Sequence, residues 1–281
     1  MTIAEALSEA AALLNAAEVP DARRDADALL RIAISRDKAF VIAYPDYTLR
    51  QDETERLLSF VERRANREPL QYIAGQTEFY RLDFEVTPDV LIPRPETEAI
   101  VERAIEYLKT NPNAEFCEIG VGSGCIAVSI LVNVKHAKAT CGDISEKALA
   151  VAAKNAEKHD VSERLNLLIS DVYSAIPSAR FDAIVSNPPY VPKQDLETLQ
   201  VEVAQFEPHI ALSDGADGLS IVRRIVADAP DHLESGGILL MEIGFDQADR
   251  VEQMFDRQLW RNVKIEDDLQ GIPRMVNAVR K

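Results

Sequence analysis

From Glu96 to its C-terminus the chain alternates helical and strand patterns, and this alternation constrains the fold more than any other feature. A helix is expected to Leu108, a strand at residues 116–119, and a helix after Gly124. A strand centred on residues 139–141 follows, then a helix over 145–157 and strands at 165–169 and 182–186. A helix over 218–229, a strand at 238–243, a helix after Asp246 and two strands near Val263 and Val276 close the chain. Such a succession predicts an α/β fold: a mixed, mostly parallel sheet with helices on both faces.

The first part of the chain has a different texture. Thr2 and Glu5 form a capping box ahead of Ile3, Ala6, Leu7, Ala10, Leu13 and Leu14, which recur at helical spacing. Pro20-Asp21 opens a second helix carrying Ala26, Leu29, Leu30 and Ile34, and a third runs from Asp52 towards Arg67, where Glu68-Pro69 ends it. Residues 77–80 and 83–86 alternate like a short hairpin, and Pro88, Pro93 and Pro95 stiffen the segment after it. The expected division is a small helical domain at 1–75, a hairpin connector at 76–90 and a Rossmann-like domain at 91–281.

Two local patterns carry chemistry. Phe116-Cys117-Glu118-Ile119 runs into Gly120-Val121-Gly122-Ser123-Gly124, a strand, a glycine-rich turn and a helix start. Open α/β sheets bind ligands at this end of their strands, and the glycines let a ligand lie against the backbone. Asp143 ends the next strand, nineteen residues after Gly124, where a carboxylate can take both ribose hydroxyls. Asp171 follows the third strand, within reach of an adenine amine, with Val172 beside it. The turn reads G-x-G-x-G, not the G-x-G-x-x-G of dinucleotide folds, and Glu118 would repel a pyrophosphate. A cationic sulfonium with an amino-acid tail tolerates that charge, so S-adenosyl-L-methionine is the expected cofactor.

The second pattern is Asn187-Pro188-Pro189-Tyr190, at the mouth of the apolar run 181–186. The Asn side chain offers an acceptor and a donor. The prolines lack backbone N–H groups and leave only carbonyl acceptors, and Tyr190 adds a flat ring with a polar tip. This set can hold a planar –NH2, with one N–H to Asn187, the other to a proline carbonyl and a ring beneath.

Composition narrows the classes. Of 281 residues, 47% are hydrophobic and 28% charged, values of an ordinary globular protein. No apolar run approaches the roughly 20 residues that span a bilayer, and the N-terminus lacks a secretion signal. Cys117, Cys125 and Cys141 have no metal-ligand spacing and suit buried thiols of the cytoplasm, and the four histidines are scattered, so no metal is expected. A net charge of −16 disfavours direct nucleic-acid binding. Arg63, Arg64, Arg67 and Arg94 are the candidates for a basic patch, against the plainer reading of a solvated helix face.

With these motifs the chain resembles the class I methyltransferases, and among them the protein-(glutamine-N5) methyltransferases that modify release factors, the PrmC/HemK family. The likeness covers nearly the whole chain. It includes Pro69-Leu70-Gln71-Tyr72-Ile73-Ala74-Gly75, Leu91-Ile92-Pro93-Arg94-Pro95-Glu96-Thr97-Glu98, Phe206-Glu207-Pro208 and Ser235-Gly236-Gly237. The resemblance implies that Glu118, Gly120, Val121, Gly122, Ser123, Gly124, Asp143, Asp171, Val172 and Asn187 contact the cofactor, which leaves as S-adenosyl-L-homocysteine. It implies that Asn187, Pro188, Pro189 and Tyr190 bind the substrate amide and carry the methyl transfer. The implied substrate is the glutamine in the Gly-Gly-Gln loop of bacterial peptide chain release factors, gripped through the N-terminal helices; nothing in the sequence demands more than a monomer. Two positions depart from the family pattern: Glu118 stands where Asp is usual, and Val172 where an aromatic often lies against adenine, leaving Tyr173 to compensate. The alternative is a nucleic-acid adenine-N6 methyltransferase, which shares the Asn-Pro-Pro-Tyr motif.

Overall fold

The computed structural model describes all 281 residues. Helices α1 (Ile3–Ala16), α2 (Ala22–Ile34), α3 (Lys38–Ala43), α4 (Gln51–Ala65) and α5 (Leu70–Ala74) come first, followed by β1 (Gln76–Phe79) and β2 (Leu82–Glu85). Then come α6 (Glu98–Leu108), β3 (Glu115–Ile119), α7 (Cys125–Asn133), β4 (Lys138–Asp143), α8 (Glu146–Lys158), β5 (Leu165–Ile169) and β6 (Phe181–Ser186). Short helices α9 (Val201–Phe206) and α10 (His209–Leu212) lead to α11 (Ser220–His232), β7 (Leu233–Glu242), α12 (Ala248–Glu252), β8 (Trp260–Asp267) and β9 (Pro273–Arg280).

The chain divides into two compact units, Met1–Gln76 with Gln200–Phe206, and Thr77–Leu199 with Glu207–Lys281. The hairpin and the prolines after it therefore belong to the second unit instead of forming a separate connector, since Phe79 and Phe84 are buried in that unit's core. Residues 200–206 return to the first unit.

In the first unit the capping box forms as the sequence suggests: Thr2 N donates to Glu5 Oε2 at 2.8 Å and Glu5 N to Thr2 Oγ1 at 3.3 Å. Ile3, Leu14, Leu29, Leu30 and Leu57 meet in its core. Helix α3 has too few residues for a periodic signal; Asp37 starts it by accepting from Phe40 N at 2.8 Å. The arginines on and after α4 are neither a basic patch nor a solvated face. Arg63 pairs with Glu68, and buried Arg64 reaches Asp25 at 2.7 Å and Glu202 at 3.0 Å. Arg67 forks onto both oxygens of Glu202 at 2.8 Å. These carboxylates consume the donors a phosphate would need.

In the second unit a seven-stranded sheet runs β5-β4-β3-β6-β7-β9-β8. Strands β5, β4, β3, β6 and β7 are parallel, and β9 pairs antiparallel with both β7 and β8. The central strands alternate between two cores, as a pleat requires. Phe116, Ala183 and Val185 pack with α6, α7 and α8, whereas Cys117 and Ile184 pack with α11 and α12. Strand β7 begins at Leu233, earlier than its apolar run suggests, because Ser235-Gly236-Gly237 forms an irregularity inside it opposite β6.

The chain leaves β3 outward to β4 and β5, then returns to the other side of β3 as β6. A crevice opens at the carboxyl ends of strands where the order reverses in this way. Register sets Ile119 against Ser186, and Ser186 Oγ donates to Ile119 O at 2.7 Å. The glycine turn and Asn187 thus emerge side by side.

Candidate active site at the ends of β3 and β6

One cavity lies at this reversal, entirely within the second unit, and most of the expected cofactor contacts line it. Glu118, Gly120, Val121, Gly122 and Ser123 form one wall. Asp143, Asp171, Val172 and Asn187 also face it. Gly124 does not. Its φ is +80°, and a Cβ there would stand 3.2 Å from Ala152, so its role is to let the start of α7 approach α8.

A Cβ at Gly120 or Gly122 would meet no protein atom within 4 Å, so the turn leaves open space against its backbone. Asp143 shapes this turn: Oδ2 accepts from Gly122 N and Oδ1 from Ser145 N, each at 2.9 Å. Burial raises its pKa, opposed by the amides of Ser145 and Gly122. Asn155, fully buried on α8, donates to Ser123 O at 2.9 Å and accepts from Glu85 N at 2.7 Å, tying the turn to the hairpin.

Glu118 is buried and accepts from Ala127 N, in the first turn of α7, at 2.9 Å. Burial pushes its pKa well above the usual carboxylate range; the Ala127 amide opposes this and the charge of Asp143 adds to it. Its longer side chain is accommodated by reaching the helix start. Asp171 is not a free carboxylate: Arg224 donates to its Oδ1 at 2.8 Å. Val172 is buried with φ at +53°, held by Ser170 Oγ donating to its carbonyl at 2.8 Å. Tyr173 does not compensate at the cavity. Its ring stacks on His232 at 4.5 Å in the core, and its hydroxyl donates to Ile225 O.

Charge fits the ligand class. The cavity walls carry Asp89, Asp143 and Asp214, besides Asp171 paired with Arg224 and the buried Glu118, against a single base, Arg94, itself held by Glu207 at 2.6 Å. An acidic wall suits a cationic sulfonium and disfavours a pyrophosphate. Cys125 also lines the cavity, and burial pushes its thiol up to about 12, leaving it protonated at neutral pH.

Of the Asn-Pro-Pro-Tyr residues, Asn187 and Pro189 line the cavity, whereas Pro188 is buried and Tyr190 lies outside the lining. Neither proline carbonyl accepts a hydrogen bond from the protein. The Tyr190 hydroxyl is turned inward, donating to Glu242 Oε1 at 3.0 Å. Asn187 Nδ2 donates to Thr97 Oγ1 at 3.1 Å, and Thr97 Oγ1 donates to Glu242 Oε2 at 2.6 Å. Buried Gln247 accepts from Gly244 N at 2.9 Å and donates to Tyr190 O at 2.9 Å, fixing the loop's exit.

Sequence reasoning missed Thr97, Glu242, Gln247 and Asn155 as site-building residues. Glu242 did leave a signal, a lone acid after the apolar run Ile238-Leu239-Leu240-Met241.

Residues 5–75 match the PrmC N-terminal domain family and residues 102–206 the methyltransferase small domain family. Among curated proteins, the release factor glutamine methyltransferase of Koribacter versatilis (strain Ellin345) is 41% identical over 277 residues, covering 98% of each chain. That of Geobacter sulfurreducens is 44% identical over 261 residues, 92% of this chain and 90% of its own. Among solved structures, the hMettl16 catalytic domain in complex with MAT2A 3′UTR hairpin 6 aligns over 87% of this chain and 92% of its own. Its TM-score is 0.59 at 15% identity, a likeness of fold alone.

Proposed function

Because this chain belongs to the release factor glutamine methyltransferase family, we propose that it methylates the side-chain amide nitrogen, N5, of the glutamine in the Gly-Gly-Gln motif of peptide chain release factors. The observation that carries this reading is an Asn carbonyl and two proline carbonyls without protein donors at the carboxyl end of β6, next to the glycine turn. S-adenosyl-L-methionine, held by the glycine turn, Glu118 and Asp143, supplies when bound a methyl group on a sulfonium, open to displacement.

The chain's own residues act on the amide. A glutamine nitrogen is a poor nucleophile because its lone pair is delocalised into the carbonyl. Asn187 Oδ1 accepting one N–H and a proline carbonyl the other favours the positive charge that develops on nitrogen. Fixed acceptors of this kind stabilise the transition state more than the neutral ground state. Orientation of the amide supplies much of the remaining acceleration. No strong base is needed before attack, which fits a motif without histidine or lysine, and the proton departs to solvent after transfer, when the nitrogen is far more acidic.

The helical first unit then serves to hold the body of the release factor, and the chain acts as a monomer in the cytoplasm, where its three free cysteines stay reduced. No helix is long and apolar enough to cross a membrane.

The test is mass spectrometry of a purified bacterial release factor incubated with the protein and S-adenosyl-L-methionine, beside the Asn187→Ala variant. One added methyl on the Gly-Gly-Gln peptide, lost with the variant while cofactor binding persists, is the expected result. An unmodified peptide, with methyl transfer to adenine in a DNA control, overturns the reading.

A further inference from the structure

With Glu242 ionised, the hydrogen bonds behind Asn187 have one consistent direction. Glu242 is 2% exposed, and two hydroxyls close on its two different oxygens, Thr97 at 2.6 Å and Tyr190 at 3.0 Å. A carboxylate only accepts, so both hydroxyls must donate to it. Each hydroxyl has a single proton. With its proton committed to Glu242, Thr97 Oγ1 can only accept from Asn187 at 3.1 Å. The Asn187 amide must therefore present its –NH2 to Thr97, which leaves Oδ1 as its open group.

We propose that Glu242 and Thr97 are positioning residues that set both the orientation and the polarity of the Asn187 amide. The proposal rests on the reading that Asn187 holds a substrate amide. Asn187 alone has two nearly isosteric orientations. The flipped one would point donors at an –NH2 that has donors of its own, and it would oppose the charge developing on the substrate nitrogen. The chain Asn187 to Thr97 to Glu242 removes that orientation, because the flip would set Oδ1 against a hydroxyl oxygen that has no proton left to give. Polarity obeys the same logic. Negative charge on Glu242 draws the Thr97 proton, which strengthens Thr97 as an acceptor and pulls on the Asn187 –NH2. Linked hydrogen bonds polarise one another, so Oδ1 becomes a better acceptor than in an isolated amide. Tyr190 completes the carboxylate's second acceptor site and ties the far end of the Asn-Pro-Pro-Tyr loop to the same anchor.

The three contributors are far apart in sequence. Thr97 precedes α6, Asn187 follows β6 and Glu242 ends β7. Burial raises the Glu242 pKa, while its hydrogen bonds from Thr97 and Tyr190 and the nearby charge of Arg274 pull the other way.

The test compares Thr97→Val, which keeps shape and loses the hydroxyl, with Thr97→Ser, which keeps the hydroxyl. Wild type and Asn187→Ala are measured in parallel by single-turnover methylation of a release factor. The expected result is a fall in kcat of about 10–100-fold for Thr97→Val, the range of one hydrogen bond to a charged group. KM for the release factor and the calorimetric cofactor Kd should stay within about twofold, and Thr97→Ser within about threefold of wild-type kcat. Adding Thr97→Val to Asn187→Ala should cost no further rate, because Thr97 acts through Asn187. Glu242→Gln offers one acceptor in place of two and no charge, and should lower kcat about tenfold even if Thr97→Val does not fold. Wild-type kcat in Thr97→Val or Glu242→Gln, or a Thr97→Val loss that multiplies on top of Asn187→Ala, overturns the positioning role and leaves the substrate assignment standing. A wild-type protein that leaves the release factor glutamine unmodified overturns the assignment, and the proposal with it.

Discussion

Gly218 is the position where one methyl group outside the cavity lining should disable the site. Its φ is +77°, and a Cβ there would lie 2.2 Å from Tyr190 O and 2.9 Å from Tyr190 C. Carbon and carbonyl oxygen settle at about 3.3 Å, so Gly218→Ala must push the Tyr190 carbonyl away by about 1 Å. That oxygen also accepts from buried Gln247 at 2.9 Å, so the displacement breaks a second contact. The left-handed backbone costs an alanine about 1–2 kcal/mol, and crowding of this degree about 1–3 kcal/mol. The sum is about 2–5 kcal/mol of stability. Because the displaced carbonyl belongs to the Asn-Pro-Pro-Tyr loop, a shift of about 1 Å should also lower kcat about 100-fold. Gly271→Ala is the control: its φ is +78°, and a Cβ there meets nothing within 4 Å. It should cost only the backbone share and leave kcat alone. Urea unfolding gives the stabilities and single-turnover methylation the rates. If Gly218→Ala matches Gly271→Ala in stability and keeps kcat within about threefold of wild type, the clash argument is wrong.

Two further predictions concern charge. Burial would raise the Glu202 pKa, but hydrogen bonds from Arg67 and Arg64 override it and bring it to about 2, below its ordinary 4.5. Its stabilisation is therefore complete above about pH 4.5 and disappears as pH falls towards 2. Glu202→Gln should cost about 1–3 kcal/mol at pH 7 in urea unfolding, allowing for solvent screening, and the gap from wild type should close on acidification; a gap unchanged from pH 6 to 3 would contradict the pairing. Glu118 has the opposite sign: burial raises its pKa, so its contribution is full below about 4.5 and is lost as pH rises through the folded value. In thermal melts without cofactor, Glu118→Gln should gain on wild type from pH 5 to 8, and parallel melting curves across that range would refute it.

Much of the second unit could be read from the sequence because its central strands β3 and β6 and most of β7 are buried on both faces and helices such as α6, α8 and α11 are amphipathic. The parallel order of β5 to β7 follows from that alternation, and the glycine turn and Asn187 appear where strand ends place them. What could not be read depends on contacts distant in sequence. Thr97 looks like one polar residue in a proline-rich segment; its meaning lies in Asn187, 90 residues on, and in Glu242, 145 residues away. Tyr173 misled for the same reason, since only the position of α11 and His232 shows that its ring belongs to the core. Arg64 and Arg67 suggested a cationic surface because the partner that neutralises them, Glu202, lies more than 130 residues later in sequence. Local pattern reports the faces of an element; it does not report what a charge on that face will meet.

Those arginines also bear on the choice between two substrates that present an –NH2. Asn-Pro-Pro-Tyr geometry alone accepts either a glutamine amide or an adenine amine. A nucleic acid must in addition be held by its phosphates, and affinity then comes from lysines and arginines that displace counterions. Here Arg63, Arg64, Arg67 and Arg94 each lie against a carboxylate. For Arg64 to reach a phosphate it would have to abandon Asp25 and Glu202, and breaking a buried pair costs about 3–5 kcal/mol. One phosphate contact contributes a slope of only about 0.9 in log affinity against log salt, which cannot offset that loss at physiological ionic strength. With a net charge of −16 over the whole chain, the remaining surface gives no general attraction either. A glutamine on a mobile protein loop needs none of this: it asks only for an acidic cavity for the donor and a few uncharged acceptors at the end of β6, and both are present.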